Sequence, residues 1–93
     1  MTLDEYITEN KIDILFDNYD NDKILVQIYK NGKDMFIAFG MCEFISYMDW
    51  FYNIKVEFNE KDNRSGYVIS ALEQDKKEKL KMAIKMFMYE YKL

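Results

Sequence analysis

Ninety-three residues, 49% of them apolar and 17% aromatic, suffice for one folded domain with a modest core. With 13 basic against 17 acidic residues and a formal charge of -4, the chain is a poor generic ligand for nucleic-acid phosphates and better suited to a basic partner. It has no histidine and a single cysteine, Cys42, which excludes a zinc site, an internal disulfide and a Cys-His nucleophile within one chain.

Thr2-Leu3-Asp4-Glu5 carries the spacing of a capping box, so a short helix is expected from there to about Asn10, with Leu3, Tyr6 and Ile7 on its buried side. Asp4, Glu5 and Glu9 stand where a secretory signal needs a basic and then an apolar stretch. Together with the unpaired cysteine, this sets the expectation of a reduced, cytoplasmic protein. Ile12–Phe16 alternates and reads as a first strand, the alternative being a helix that runs on from residue 3 to 16. Asn18–Asp22 is a turn cluster. Asn18, Asp20 and Asp22 match the opening ligand positions of an EF-hand loop. Lys23 then replaces its glycine and Tyr29 its bidentate glutamate, so a solvated turn is expected and no metal.

Lys23–Gly40 predicts the central hairpin. Asn31-Gly32 supplies the positive φ of a tight primed turn, with Ile24, Val26 and Ile28 alternating before it and Met35, Ile37 and Phe39 after it. Met41–Tyr52 is apolar nearly all round and predicts a helix buried against the sheet. Trp50 and Tyr52 are left on its opposite side, either as core edge or as an aromatic anchor for a partner. Ile54–Phe58 predicts an amphipathic strand, Asn59–Gly66 a charged loop and Tyr67–Leu72 the returning strand.

Gln74–Leu93 predicts the last helix, its buried stripe being Leu80, Ala83, Ile84, Phe87, Met88 and Tyr91. Met82, Met86, Tyr89 and Leu93 form a second stripe on roughly the other side. Either helices from the first half wrap it, or it is a surface for a partner or a second copy. The fold expected is a single α+β domain over residues 1–93. An antiparallel sheet of about five strands packs with helices in the order α-β-β-β-α-β-β-α.

No histidine, no phosphate-cradling glycine loop and no distinguished carboxylate pair point to catalysis or to a bound cofactor. No apolar run is long enough to span a bilayer. From Glu73 onward six lysines face four acidic residues, a net +2; before it, seven basic face thirteen acidic residues, a net -6. The expected function is therefore binding to protein. Carboxylates at Asp17, Asp20, Asp22 and Asp34 would lie against a basic, nucleic-acid-binding surface of a partner. Trp50, Met82, Met86 and Tyr89 would supply a dry centre. A self-associating assembly protein, a homodimer through the last helix, and a toxin-neutralising immunity protein are the alternatives.

The capped helix at Thr2-Leu3-Asp4-Glu5, the meander around Asn31-Gly32 and the aromatic helix Phe44–Tyr52 resemble, in size, charge and element order, small acidic anti-CRISPR proteins of phages and mobile elements. The likeness spans about the first half of the chain. It implies an inhibitor acting at the nucleic-acid site of an RNA-guided nuclease, and it assigns no residue a role.

Overall fold

The structure is a computed structural model and describes residues 1–93. Its elements are α1 (Leu3–Glu9), β1 (Ile12–Asp20), β2 (Lys23–Lys30), β3 (Lys33–Asp34), α2 (Phe36–Gly40), α3 (Phe44–Tyr52), β4 (Glu57–Phe58), β5 (Tyr67–Ser70) and α4 (Gln74–Glu90). The α+β class, the five-stranded antiparallel sheet and the expected order of elements are all present, with one unexpected short helix, α2, in the stretch read as the second arm of the central hairpin, and the helix expected over Met41–Tyr52 formed from Phe44 as α3. No helix is long and apolar enough to cross a membrane.

The strand order is β1-β2-β5-β4, with β3 pairing β2 beyond the end of β5. The capping box at α1 forms as its sequence requires: Thr2 accepts from the Glu5 amide, and the Glu5 side chain accepts from Thr2. Asn31 and Gly32 adopt φ of 52° and 80°, as a primed turn demands.

The hairpin that this turn opens is shorter than its alternation predicts. Its second arm pairs only through Tyr29–Asp34 and Lys30–Lys33, and then Phe36–Gly40 turns helical instead of continuing as a strand. Continuing the register would have laid residues 37–39 against Ile24–Val26, but that edge of β2 is taken by β5, paired from Lys23–Ser70 to Val26–Tyr67. Asp34 then caps the departing chain by accepting from the Phe36 amide at 2.9 Å. The long hairpin is β1–β2 instead. β1 runs to Asp20 with a bulge between Asn18 and Asp20, so the turn narrows from the expected Asn18–Asp22 to Asn21-Asp22.

Cross-strand partners share a face, so Ile14, Ile24, Val26, Ile28, Tyr67 and Ile69 form one apolar surface. Against it lies α4 with Leu80, Ala83, Ile84, Phe87 and Met88 buried, five of the six residues of its predicted stripe. The sixth, Tyr91, caps the end of α4, stacks on Phe87 at 4.4 Å between ring centroids and stays 38% exposed. α3 joins through Phe44, Tyr47 and Met48, and α2 through Phe39; the Phe39, Phe44 and Phe87 rings meet pairwise at 4.8–5.2 Å.

The other face is also covered. Leu25 and Val68 are opposite each other and fully buried there, although no helix lies over them. The Asn59–Gly66 loop folds back across this face, and Gly66 makes the fold-back possible. Its φ is +144°, and a Cβ there would stand 2.7 Å from the Val26 carbonyl oxygen. Two substitutions test this account by chemical denaturation. Phe87→Ala, emptying the aromatic centre, is expected to cost about 3–5 kcal/mol. Gly66→Ala is expected to cost about 2 kcal/mol or more, through backbone strain and the clash with β2.

Candidate functional site

Two surfaces gather the residues singled out by the sequence, and they lie on opposite sides of the sheet. The acidic one is the outer face of β1 and β2, where Asp13, Leu15, Asp17 and Asp20 line up along one strand. On it Arg64 is the organising cation. Its guanidinium reaches Asp17 at 2.8 Å, Asp62 at 2.7 Å and the Asn18 carbonyl at 3.2 Å, so the loop is fastened to β1 across β2. Lys61 adds a bond to the Tyr19 carbonyl at 2.6 Å, and Gln27 one to the Ser65 carbonyl at 3.1 Å. A second ion pair, Lys23–Glu57 at 2.9 Å, bridges β2 to β4 over β5.

These contacts separate the four expected carboxylates. Asp17 is bound to Arg64, and Asp34 accepts from the Ser65 hydroxyl and the Phe36 amide; both hold the fold. Asp20 accepts only from the Asn21 amide, and neither Asp20 nor Asp22 forms an ion pair, so both present free charge at the β1–β2 turn. Hydrogen bonds from Arg64, then from Asn59, hold the Asp62 carboxyl well below the ordinary carboxylate range, and Lys23 lowers Glu57 in the same way. No group of three or more His, Cys, Asp or Glu side chains converges where a metal could be held.

The apolar surface is the C-terminal half of α3. Phe44, Tyr47 and Met48 take the buried side, and Trp50 and Phe51, each 69% exposed, and then Tyr52 are left outward at the end of the helix. Asn53 ends the helix in the left-handed conformation, φ 52°, which turns the chain sharply into Ile54. Phe51, Tyr52 and Tyr91 all stand around the Tyr47 ring, at 5.0, 5.9 and 6.0 Å. Burial pushes the Tyr47 phenol up, with the Tyr52 hydroxyl and the Glu90 carboxylate adding to the shift. Beside them an open groove of about 640 Å³ runs between Tyr52–Ile54 and α4, lined by Leu72, Leu80 and Met82, with Lys76 and Lys79.

Trp50 is thus an exposed aromatic side chain and no part of the core. Phe51, its equally exposed neighbour, falls by helical spacing on the side of Tyr47 and Met48, yet it stands outside the core. The second stripe of α4 divides. Met82, 50% exposed, joins the groove; Met86 is half-buried; Tyr89 and Leu93 are covered by α1. Tyr89 packs edge-on to Tyr6 at 5.8 Å and donates to the Met1 carbonyl at 2.6 Å, while the Leu93 carbonyl accepts from the Tyr6 hydroxyl and the Lys30 ammonium.

No family model, no curated protein and no solved structure matches this chain.

Tyr67 links the core to pH. It is 2% exposed, its hydroxyl donates to the Phe36 carbonyl at 3.0 Å, and burial, with the Asp34 carboxylate adding, pushes its phenol up to about 12. A raised folded-state value means stability fully present below pH 10 and lost as pH rises from 10 through 12. Tyr67→Phe is expected to flatten that alkaline loss in denaturation series from pH 8 to 12. On the acid side the sign reverses. Asp62 contributes above its ordinary value of 3.8 and loses that contribution as pH falls below it. Arg64→Leu is expected to diminish the acid-induced loss and to speed amide exchange in residues 59–66, with little change at α4.

Proposed function

We propose that this chain is a small, non-catalytic binding protein that inhibits a protein partner by covering a basic, nucleic-acid-binding surface, as several of the anti-CRISPR proteins it resembles do. The observation that carries the binding reading is the run Trp50-Phe51-Tyr52, two of its members 69% exposed at a helix end and continuous with Tyr91 and the α3–α4 groove. Large aromatic side chains left in water beside apolar neighbours mark protein interfaces, and Trp and Tyr dominate their energetics. The net charge of -4 and the free carboxylates at Asp20 and Asp22 support a basic partner, whose approach they would steer.

Capture of partners from a lysate of the source organism at low and high salt, followed by an activity assay of the recovered protein, tests this. Trp50→Ala with Phe51→Ala is expected to weaken binding at least about 30-fold, the loss of one hot spot of about 2 kcal/mol, without loss of fold. Asp20→Lys with Asp22→Lys is expected to slow association and remove its salt dependence while leaving dissociation nearly unchanged. Asp17 and Asp34 are unsuitable for this test because they hold the Arg64 loop and the start of α2. Full affinity in the aromatic double variant would remove the basis of the proposal.

A further inference from the structure

Three open grooves of similar size mark the surface, and they differ in how their charges are balanced. In one, about 560 Å³ beside β4, Lys23 is paired with Glu57 at 2.9 Å, and Glu60 also lines it. In another, about 640 Å³ near the two ends of the chain, Glu9 and Glu90 accompany Lys30 and Lys92, and Lys30 already donates to the Leu93 carbonyl. The third is the groove of about 640 Å³ between Tyr52–Ile54 and α4. Lys76 and Lys79 are its only charged residues, and no carboxylate lines it.

Neither lysine is engaged elsewhere. None of the five ion pairs in the protein includes Lys76 or Lys79. Glu78, the acid between them in sequence, is held by Lys81 at 3.6 Å and by the Gln74 carboxamide at 3.1 Å. Lys77 and Lys81, by contrast, stand over the Phe16 ring on the other flank of the helix. Lys76 also occupies the first turn of α4, where the helix dipole disfavours a cation. Two positive charges that no internal acid balances thus stand beside an apolar recess.

The recess is mainly aliphatic. Leu80 and Ala83 are buried beneath it, Leu72 and Ile54 are half-buried, and Met82 is 50% exposed. Tyr52 is its one ring. Along α4 the lining extends from Lys76 to Ala83, about 10 Å at 1.5 Å per residue. That length suits an extended alkyl chain better than a folded element of a partner. Small-ligand sites share this composition: mostly apolar walls, with a few polar groups that fix orientation.

We infer that the α3–α4 groove binds a linear amphiphile with an anionic head, of the medium-chain alkanoate class. The alkyl chain lies along Leu72, Leu80 and Met82, and the carboxylate meets Lys76 and Lys79. The source is a free amphiphile and not a bilayer, because a chain of net charge -4 is repelled by anionic lipid. The inference goes beyond the proposed function and does not rest on it, since Trp50 and Phe51 do not line the groove.

Sodium decanoate, kept below its micelle concentration and titrated into the full chain, tests it by amide and methionine-methyl NMR shifts. Saturable shifts at Asn53, Ile54, Leu72 and Met82 are expected, and none at Asp20 or Asp22. Decyltrimethylammonium has the same chain and the opposite charge; butyrate has the same head and little chain. Each is expected to bind roughly tenfold more weakly or worse. Lys76→Gln with Lys79→Gln is expected to weaken decanoate binding about three- to tenfold, as the loss of two solvent-exposed ion pairs would. Met82→Asp, at an exposed position, is expected to abolish binding with the thermal melt unchanged. Trp50→Ala with Phe51→Ala must leave decanoate binding intact, so failure here is separable from failure of the aromatic surface. No saturable shift at the groove, equal binding of decyltrimethylammonium, or full affinity in the lysine double variant would each overturn the inference. So would groove shifts caused by anionic phospholipid vesicles and not by decanoate. The same shifts on raising the protein concentration alone would assign the groove to a second copy and overturn it too.

Discussion

The pairing of β5 with Lys23–Val26 is the contact on which the rest of the molecule depends. It joins segments more than forty residues apart, so its ordering must be offset by what it brings together. It places Tyr67 where that ring meets Phe36, Phe39 and Phe44, so that α2 and α3 acquire a common floor. It takes the edge that the Asn31-Gly32 hairpin would otherwise have used, which is why Phe36–Gly40 is a helix. It also brings Gly66 against β2 and so directs the preceding loop over the outer face.

The two faces of the sheet are closed by different physics. Inside, aromatic rings and aliphatic chains from α2, α3 and α4 exclude water over a continuous surface. Outside, Leu25 and Val68 are buried under a loop held mainly by Arg64, Lys61 and Gln27. Exposed ion pairs of this kind are individually weak, and the arrangement holds because several meet in one place. An acidic composition thus conceals two populations of carboxylate. Some are held by internal cations and amides, and others, such as Asp20 and Asp22, lack ion-pair partners. Only the second population contributes charge that a binding partner could read without disturbing the fold.

Much of the architecture was legible in local patterns. The capping box, the Asn31-Gly32 turn and the core stripe of α4 are decided within a few residues or turns, and each stands where the pattern put it. What local pattern could not supply was competition. Met35, Ile37 and Phe39 alternate as a strand should, and only the arrival of β5 denies them a partner. Likewise nothing local distinguishes Asp17 from Asp20, since the difference is made by Arg64, which is distant in sequence and adjacent in space. The outward position of Trp50 follows from the helical spacing, whereas Phe51 shares the side of Tyr47 and Met48 and is nevertheless 69% exposed, which the helix pattern alone does not give.

The Arg64 network also constrains how the sequence can drift. Replacing Arg64 alone leaves Asp17 and Asp62 as adjacent like charges above Leu25 and Val68, so positions 17, 62 and 64 are expected to vary together or not at all. Asp20 and Asp22 have no such tie. An acid retained there across natural variants would have no structural reason for its persistence, and the pattern of exchange would separate residues kept for the fold from residues kept for a partner.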